Sequence, residues 1–424
     1  MLFIYILENI FFLILGMIIF KNKLNPITII TLTWSSMVIL YDMKWVTYYS
    51  LTTKTYEIII LSTFLFCSFI LLGFSSDLVL SSSIKKTTNE ISVEGFESKF
   101  RKTIIWLTFI GIIPGIVSLM DVIKIYGIRF YTMISTIYTE RVLDKVQIAT
   151  IPYLTSLVFV AITFSGIYYT KYGFKKFIIF PMIAISIQPF TNGGRQFLIE
   201  GIILFILPII LNKKIKRAKH NAFIGTVVII IMIVLLIVIS NQRSTYVSDA
   251  SYDSFATPLF TKIMMYIPGI YQLYTYFSSP VGVLNAFLSS PTYVFGGNSL
   301  FPVYGFLNLF GANISVNRYQ KFYAIPIQEN AGTAVKELIE DYHLFSAMII
   351  ILICGFIVGL VVRSYYQNKN SIQKVYMVSM CYMIVFFSFY FWILRDANLI
   401  IALIVGGLFA HHLDSYVIIK DEKS

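Results

Sequence analysis

The 424-residue chain is 57% hydrophobic and 13% charged, with a formal net charge of +12. A soluble domain usually carries about 25% charge, so this composition excludes an ordinary soluble globular protein. Nor does the basic balance argue for nucleic-acid binding, because the cytoplasmic loops of membrane proteins are basic in any case.

Apolar runs recur along nearly the whole length and predict an all-α, polytopic transmembrane bundle of about eleven spans. In chain order these are 2–20, 26–43, 56–74, 103–120, 150–169, 174–190, 196–211, 222–240, 343–362, 374–394 and 397–413. Residues 1–20 lack a basic n-region and a small-residue cleavage site, so they are expected to be the first span. Cys67, Cys354 and Cys381 fall inside apolar runs, with no disulfide or CxxC metal pattern, and read as packing residues.

Lysine and arginine set the expected orientation. With the N-terminus outside, the inner loops collect Lys21 and Lys23, the 85–102 cluster, Lys171, Lys175 and Lys176, and the KKIKRAK run at 213–219. The opposite orientation would put KKIKRAK outside, against the positive-inside rule. Three regions follow: spans one to eight over 1–240, a large extracytoplasmic loop over 241–342, and spans nine to eleven with a short tail over 343–424. A loop of that length is functional or disordered. Its sequence, with MMYIPGIYQLYTYF and PTYVFGGNSLFPVYGFLNLFG, is too aromatic for disorder. Short helices lying on the bilayer surface are expected there, with a broken span over 259–277 as the alternative.

The arginines sort differently from the lysines. Arg129, Arg141, Arg195, Arg243, Arg318 and Arg395 all fall on the outer side. Positive-inside targeting treats the two cations alike. Arginine differs in its planar fork, which grips phosphate oxygens bidentately, so a phosphate-bearing ligand is expected outside. The outer acids Glu8, Asp42, Glu57, Asp121, Glu200 and Asp396 add to a polar cavity open on that face.

Three stretches concentrate the candidates. In TNGGRQFLIEG, Gly193 and Gly194 allow close backbone approach, Arg195 stands at a helix start, and Gln196 and Glu200 lie one turn apart. The competing reading is a tight hairpin whose arginine snorkels to headgroups. Arg243, Arg318 and Arg395 are further pyrophosphate candidates, each also readable as an interfacial or solvated cation. KELIEDYHLF offers Glu337, Glu340, Asp341 and His343 as acid–base groups; the alternative is a solvated helix start whose acids favour the dipole. No His/Glu spacing suggests a metal, and no P-loop, GxSxG or HExxH motif is present.

Many spans, a short GGR turn, one long outer loop and acids entering the next span resemble the Wzy-type O-antigen and capsule repeat-unit polymerases. At residue level the resemblance rests on TNGGRQFLIEGI and ELIEDYHLFSAMIIILICGFIVGL. Many members carry an acid followed by glycine, as DxG. Here the triplet is Asp341-Tyr342-His343, so the glycine is replaced. The resemblance implies an inverting, metal-independent glycosyltransferase without a cofactor, in a bacterial cytoplasmic membrane with its active site outside. Its donor would be a growing glycan on undecaprenyl pyrophosphate and its acceptor one repeat unit on the same lipid; it leaves room for a chain-length regulator. Arginines would stabilise the leaving pyrophosphate, and Asp341 or His343 would activate the acceptor hydroxyl. An O-antigen ligase shares the architecture. A lipid-linked oligosaccharide flippase would show two related halves, and no internal repeat is visible.

Overall fold

A computed structural model describes residues 1–76, 95–142, 145–192, 194, 196–212, 255–267, 269–315 and 320–421. The expected span at 222–240 lies outside them, as do Gly193, Arg195, Arg243 and Arg318. The described chain is helical apart from a two-stranded hairpin, Tyr323–Ala324 with Gln328–Glu329. Five helices are long and apolar enough to cross a membrane: Leu2–Phe20, Thr53–Ser75, Phe96–Tyr126, Ala334–Gln367 and Ala397–Tyr416. Pro26–Asp42, Lys176–Thr191, Gln196–Leu211 and Ile372–Phe387 are apolar but shorter.

The chain divides into two compact units. The first holds residues 1–79, 247–363 and 384–397. Local signals start its helices. Asn25 accepts a hydrogen bond from the Thr28 amide at 2.9 Å ahead of Pro26, and Thr52 accepts one from the Thr55 amide at 3.3 Å. The helix Thr53–Ser75 crosses the helix Ala334–Gln367 backbone to backbone. A Cβ at Gly73 would run into the Phe356 carbonyl, and one at Gly355 or Gly359 into the carbonyls of Phe66 or Ile70. Only glycine permits that approach, which replaces side-chain packing by close van der Waals contact.

In this unit part of the 241–342 stretch packs against another helix. The helix Ile270–Ser289 packs along Pro26–Asp42 and buries Ser278, Ser279, Val281, Leu284 and Asn285. Two of its buried polar residues have partners within this unit. Asn285 Oδ1 accepts from the Thr52 amide at 2.9 Å and the Thr55 hydroxyl at 2.6 Å, and Ser278 bonds the Tyr48 hydroxyl at 2.9 Å. Satisfied in this way, polar groups can be buried without penalty. Tyr48 stacks on Tyr41 at 4.4 Å, and burial pushes its phenol well above the usual range, so it stays protonated. A break follows Pro258–Tyr266, and Gly269 at φ 79° opens the next helix. Phe301–Leu309 differs from Ile270–Ser289 in having no buried residue.

The second unit holds residues 80–246, 364–383 and 398–424. Ser156–Tyr172 is its axis, buried on nearly every side between Phe96–Tyr126 and Gln196–Leu211. A helix apolar all round belongs in such a position. Asp414 caps Ile372–Phe387 by accepting the Ile372 and Gln373 amides at 2.9 and 3.0 Å and the Ser371 hydroxyl at 2.6 Å. The expected span at 174–190 is divided into Lys176–Ile178, Ile179–Ser186 and Gln188–Asn192.

Candidate functional site

In the first unit, Thr333 caps the helix that carries the acids, accepting the Lys336 amide at 3.1 Å. The first two turns then bury Lys336, Glu337, Glu340 and Asp341, none more than 6% exposed. Charges are almost never buried so completely unless paired, and the partners come from two other segments.

One is the turn after Gly296-Gly297. The Asn298 and Ser299 amides donate to Asp341 at 2.9 and 2.7 Å, and the Asn298 Nδ2 and Ser299 hydroxyl donate to the same carboxylate at 3.0 and 2.7 Å. Asn298 Nδ2 also donates to Glu340 Oε2 at 3.0 Å, and the Val294 amide to the Glu340 carbonyl at 3.0 Å. Both Asp341 oxygens are therefore engaged.

The other is the turn at 388–395. The Trp392 amide donates to Glu337 Oε2 at 2.7 Å, and its indole N–H to the Ser299 hydroxyl at 3.0 Å. Glu337 Oε1 is buried without a hydrogen-bond partner among the described residues. Arg395 donates from Nη1 to Asn298 Oδ1 and lies 5.3 Å from the Phe301 ring. Lys336 Nζ is 2.6 Å from Glu340 Oε2 and about equally far from the Phe287 and Tyr323 rings, 5.5 and 5.6 Å. Arg395 and Lys336 are the cations that act on Glu337. Three carboxylates thus face two cations; Asp341 accepts through both of its oxygens, Glu337 and Glu340 through Oε2. A small apolar cleft lies beside Trp392, between Ile30, Trp34, Phe66, Leu338 and Ile351.

His343 stands apart from this network. Its backbone interrupts the helix at φ 62°, ψ 167°, and its exposed ring packs on Tyr293 at 3.9 Å. That combination is essentially glycine's alone. Glu340 and His343, three residues apart in the sequence, do not share a helical face across this break, because the positive φ turns the chain out of the helix.

In the second unit, Gln196 and Glu200 are paired at 2.7 Å as their spacing implies, with Glu200 fully buried. Among the described residues, a Cβ on Gly194 would meet nothing within 4 Å. The buried Arg141 donates to the Thr191 carbonyl at 2.9 Å, within the stretch leading into the GGR turn.

The structure therefore groups Glu337, Glu340, Asp341 and Arg395, and separately Gln196 with Glu200. Sequence reasoning missed Lys336, Asn298, Ser299 and Trp392, and gave little weight to Arg141. The Lys336–Glu340 spacing of four was readable, and GGNS is a turn signal; nothing local tied that turn to the acids. Among the described residues no group of three or more His, Cys, Asp or Glu could hold a metal ion. The chain matches no protein-family model, no curated protein and no solved structure.

Proposed function

We propose that the protein polymerises lipid-linked oligosaccharide repeat units into a surface polysaccharide, on the outer face of a bacterial cytoplasmic membrane. The observation that carries this reading is the backbone of Asp341-Tyr342-His343. The resemblance to repeat-unit polymerases has glycine at the third position of this triplet, and His343 holds a glycine-type conformation there despite its side chain. A strain of this kind persists where the surroundings demand it, and commonly at functional sites.

The chemistry follows from the groups around that triplet. The acceptor hydroxyl oxygen attacks the anomeric carbon of the donor glycan from the face opposite the pyrophosphate. The new glycosidic bond forms as the bond to the pyrophosphate oxygen breaks, inverting the centre. The hydroxyl proton passes to a carboxylate. We assign it to Glu337, whose Oε1 is buried without a hydrogen-bond partner among the described residues, whereas both Asp341 oxygens already accept from Asn298 and Ser299. Arg395 supplies charge to the departing undecaprenyl pyrophosphate, with Arg195, Arg243 and Arg318 as further contacts expected from the sequence.

The test is a sugar-stained gel of glycans from cells lacking the gene, with lipid attachment assayed. Lipid capped with a single repeat unit is the expected result. Full-length polymer retained on its carrier lipid would instead identify a ligase, and repeat units trapped inside would identify a flippase; either overturns the reading.

A further inference from the structure

The first helix, Leu2–Phe20, carries an acid that the site above does not use. At 19 residues it about matches the hydrocarbon core of a membrane, and Glu8 stands in its second turn, inside that core. Around Glu8 the side chains of Ile4, Leu7 and Phe11 are exposed, an apolar face suited to lipid, and Glu8 itself is half-buried beneath it. An ionised acid there would stand in hydrocarbon, at a cost that makes such residues rare and functional candidates by default.

The hydrogen bonds around Glu8 point to a proton. Thr63, on the helix Thr53–Ser75, places its Oγ1 3.0 Å from Glu8 Oε1, 2.8 Å from the Ile59 carbonyl and 3.1 Å from the Ile60 carbonyl. A threonine hydroxyl has one hydrogen to give and lone pairs to accept another. With that hydrogen on the nearer carbonyl, the bond to Glu8 needs a hydrogen on the acid. Glu8 Oε2 is buried without a hydrogen-bond partner among the described residues, which an uncharged carbonyl oxygen tolerates better than a carboxylate does. Tyr5 on the same helix and Cys67 on the neighbouring one are the titratable groups facing Glu8, and neither supplies positive charge. We propose that Glu8 is a proton-binding site inside the membrane. Its carboxyl is held neutral at pH 7 and donates to Thr63, closing the first helix on Thr53–Ser75, where Phe12 and Phe64 meet edge to ring at 5.6 Å.

A lipid-soluble carbodiimide tests this on the full chain in membranes. Dicyclohexylcarbodiimide takes the acid's proton on one nitrogen while the carboxyl oxygen bonds to its central carbon. The acyl group then shifts from that oxygen to the second nitrogen, giving a stable N-acylurea with nothing released. An ionised carboxylate lacks the proton for the first step. Mass spectrometry of the peptide containing Glu8 should show the adduct at pH 7. The label should fall as the pH is raised, return when the pH is lowered again, and be lost in Glu8→Gln. A water-soluble carbodiimide should leave Glu8 unlabelled.

No adduct on Glu8 at pH 7, or labelling by the water-soluble reagent instead, overturns the proposal. So does protection of Glu8 by added sodium at constant pH. Asn9 Oδ1, on the next residue, is also buried without a partner among the described residues, and sodium protection would identify an alkali-cation site there in place of a proton site. Glu8 has no part in the polymerase reading, so neither result bears on it.

Discussion

The two polar regions of this molecule solve the burial of charge in opposite ways. The start of Ala334–Gln367 places four charged side chains in the interior and answers them from afar, with Asn298 and Ser299 from one turn and Trp392 and Arg395 from another. The stretch from Thr191 to Glu200 relies mainly on neighbours. Gln196 holds Glu200 four residues on, and Arg141 donates to the Thr191 backbone carbonyl. The first is a closed network in which each removed partner strands another buried group. In the second, a Cβ on Gly194 would meet nothing within 4 Å among the described residues. Damage should therefore cost folding as well as activity in the first, and mainly activity in the second.

The largest effect is expected at the most heavily bonded acid. Asp341→Ala strands donors from Asn298 and Ser299, and should cost about 3–5 kcal/mol, the scale of breaking a buried charged network. Thermal unfolding in detergent and the yield of protein in the membrane measure it; near-wild-type stability would dissolve the contrast between the regions.

Lys336→Met should come close behind, at about 3 kcal/mol, because it leaves Glu340 buried and unpaired. Adding Glu340→Gln should recover much of that loss. If the double variant is no better than the single one, the pair is not what stabilises the turn.

In the other region the expected order reverses. Arg195→Ala should abolish polymer on a sugar-stained gel while leaving protein in the membrane, and Arg195→Lys should rescue poorly if the planar fork matters. Full activity in Arg195→Ala would remove that arginine from the site.

The smallest effect carries the opposite sign. His343→Gly relieves a glycine-type backbone and should stabilise by about 1 kcal/mol, the strain relieved less the chain entropy glycine adds to the unfolded state. Destabilisation would show that the packing of His343 on Tyr293 outweighs the strain.

Much of the helical layout was legible in the sequence. Leu2–Phe20 and Gln196–Leu211 fall where their apolar runs begin and end, and Asn25-Pro26 marks its helix start by capping chemistry alone. The long aromatic stretch was not legible, because Ser278 and Asn285 look like surface residues until Tyr48, Thr52 and Thr55 are beside them. The acids of KELIED stood out by residue type. Their partners did not, since an asparagine after two glycines and a tryptophan before an arginine each have many ordinary uses.

By itself, then, the sequence determined an all-α chain with membrane-length helices and the residue types that could handle a proton and a phosphate. Hydropathy and capping are properties of neighbours along the chain, so they are written locally. Tertiary structure alone decided that both oxygens of Asp341 are taken and that Arg395 meets the Asn298 amide. Those outcomes depend on hydrogen bonds between segments more than forty residues apart, and a buried group's chemistry is set by whatever packing brings to it.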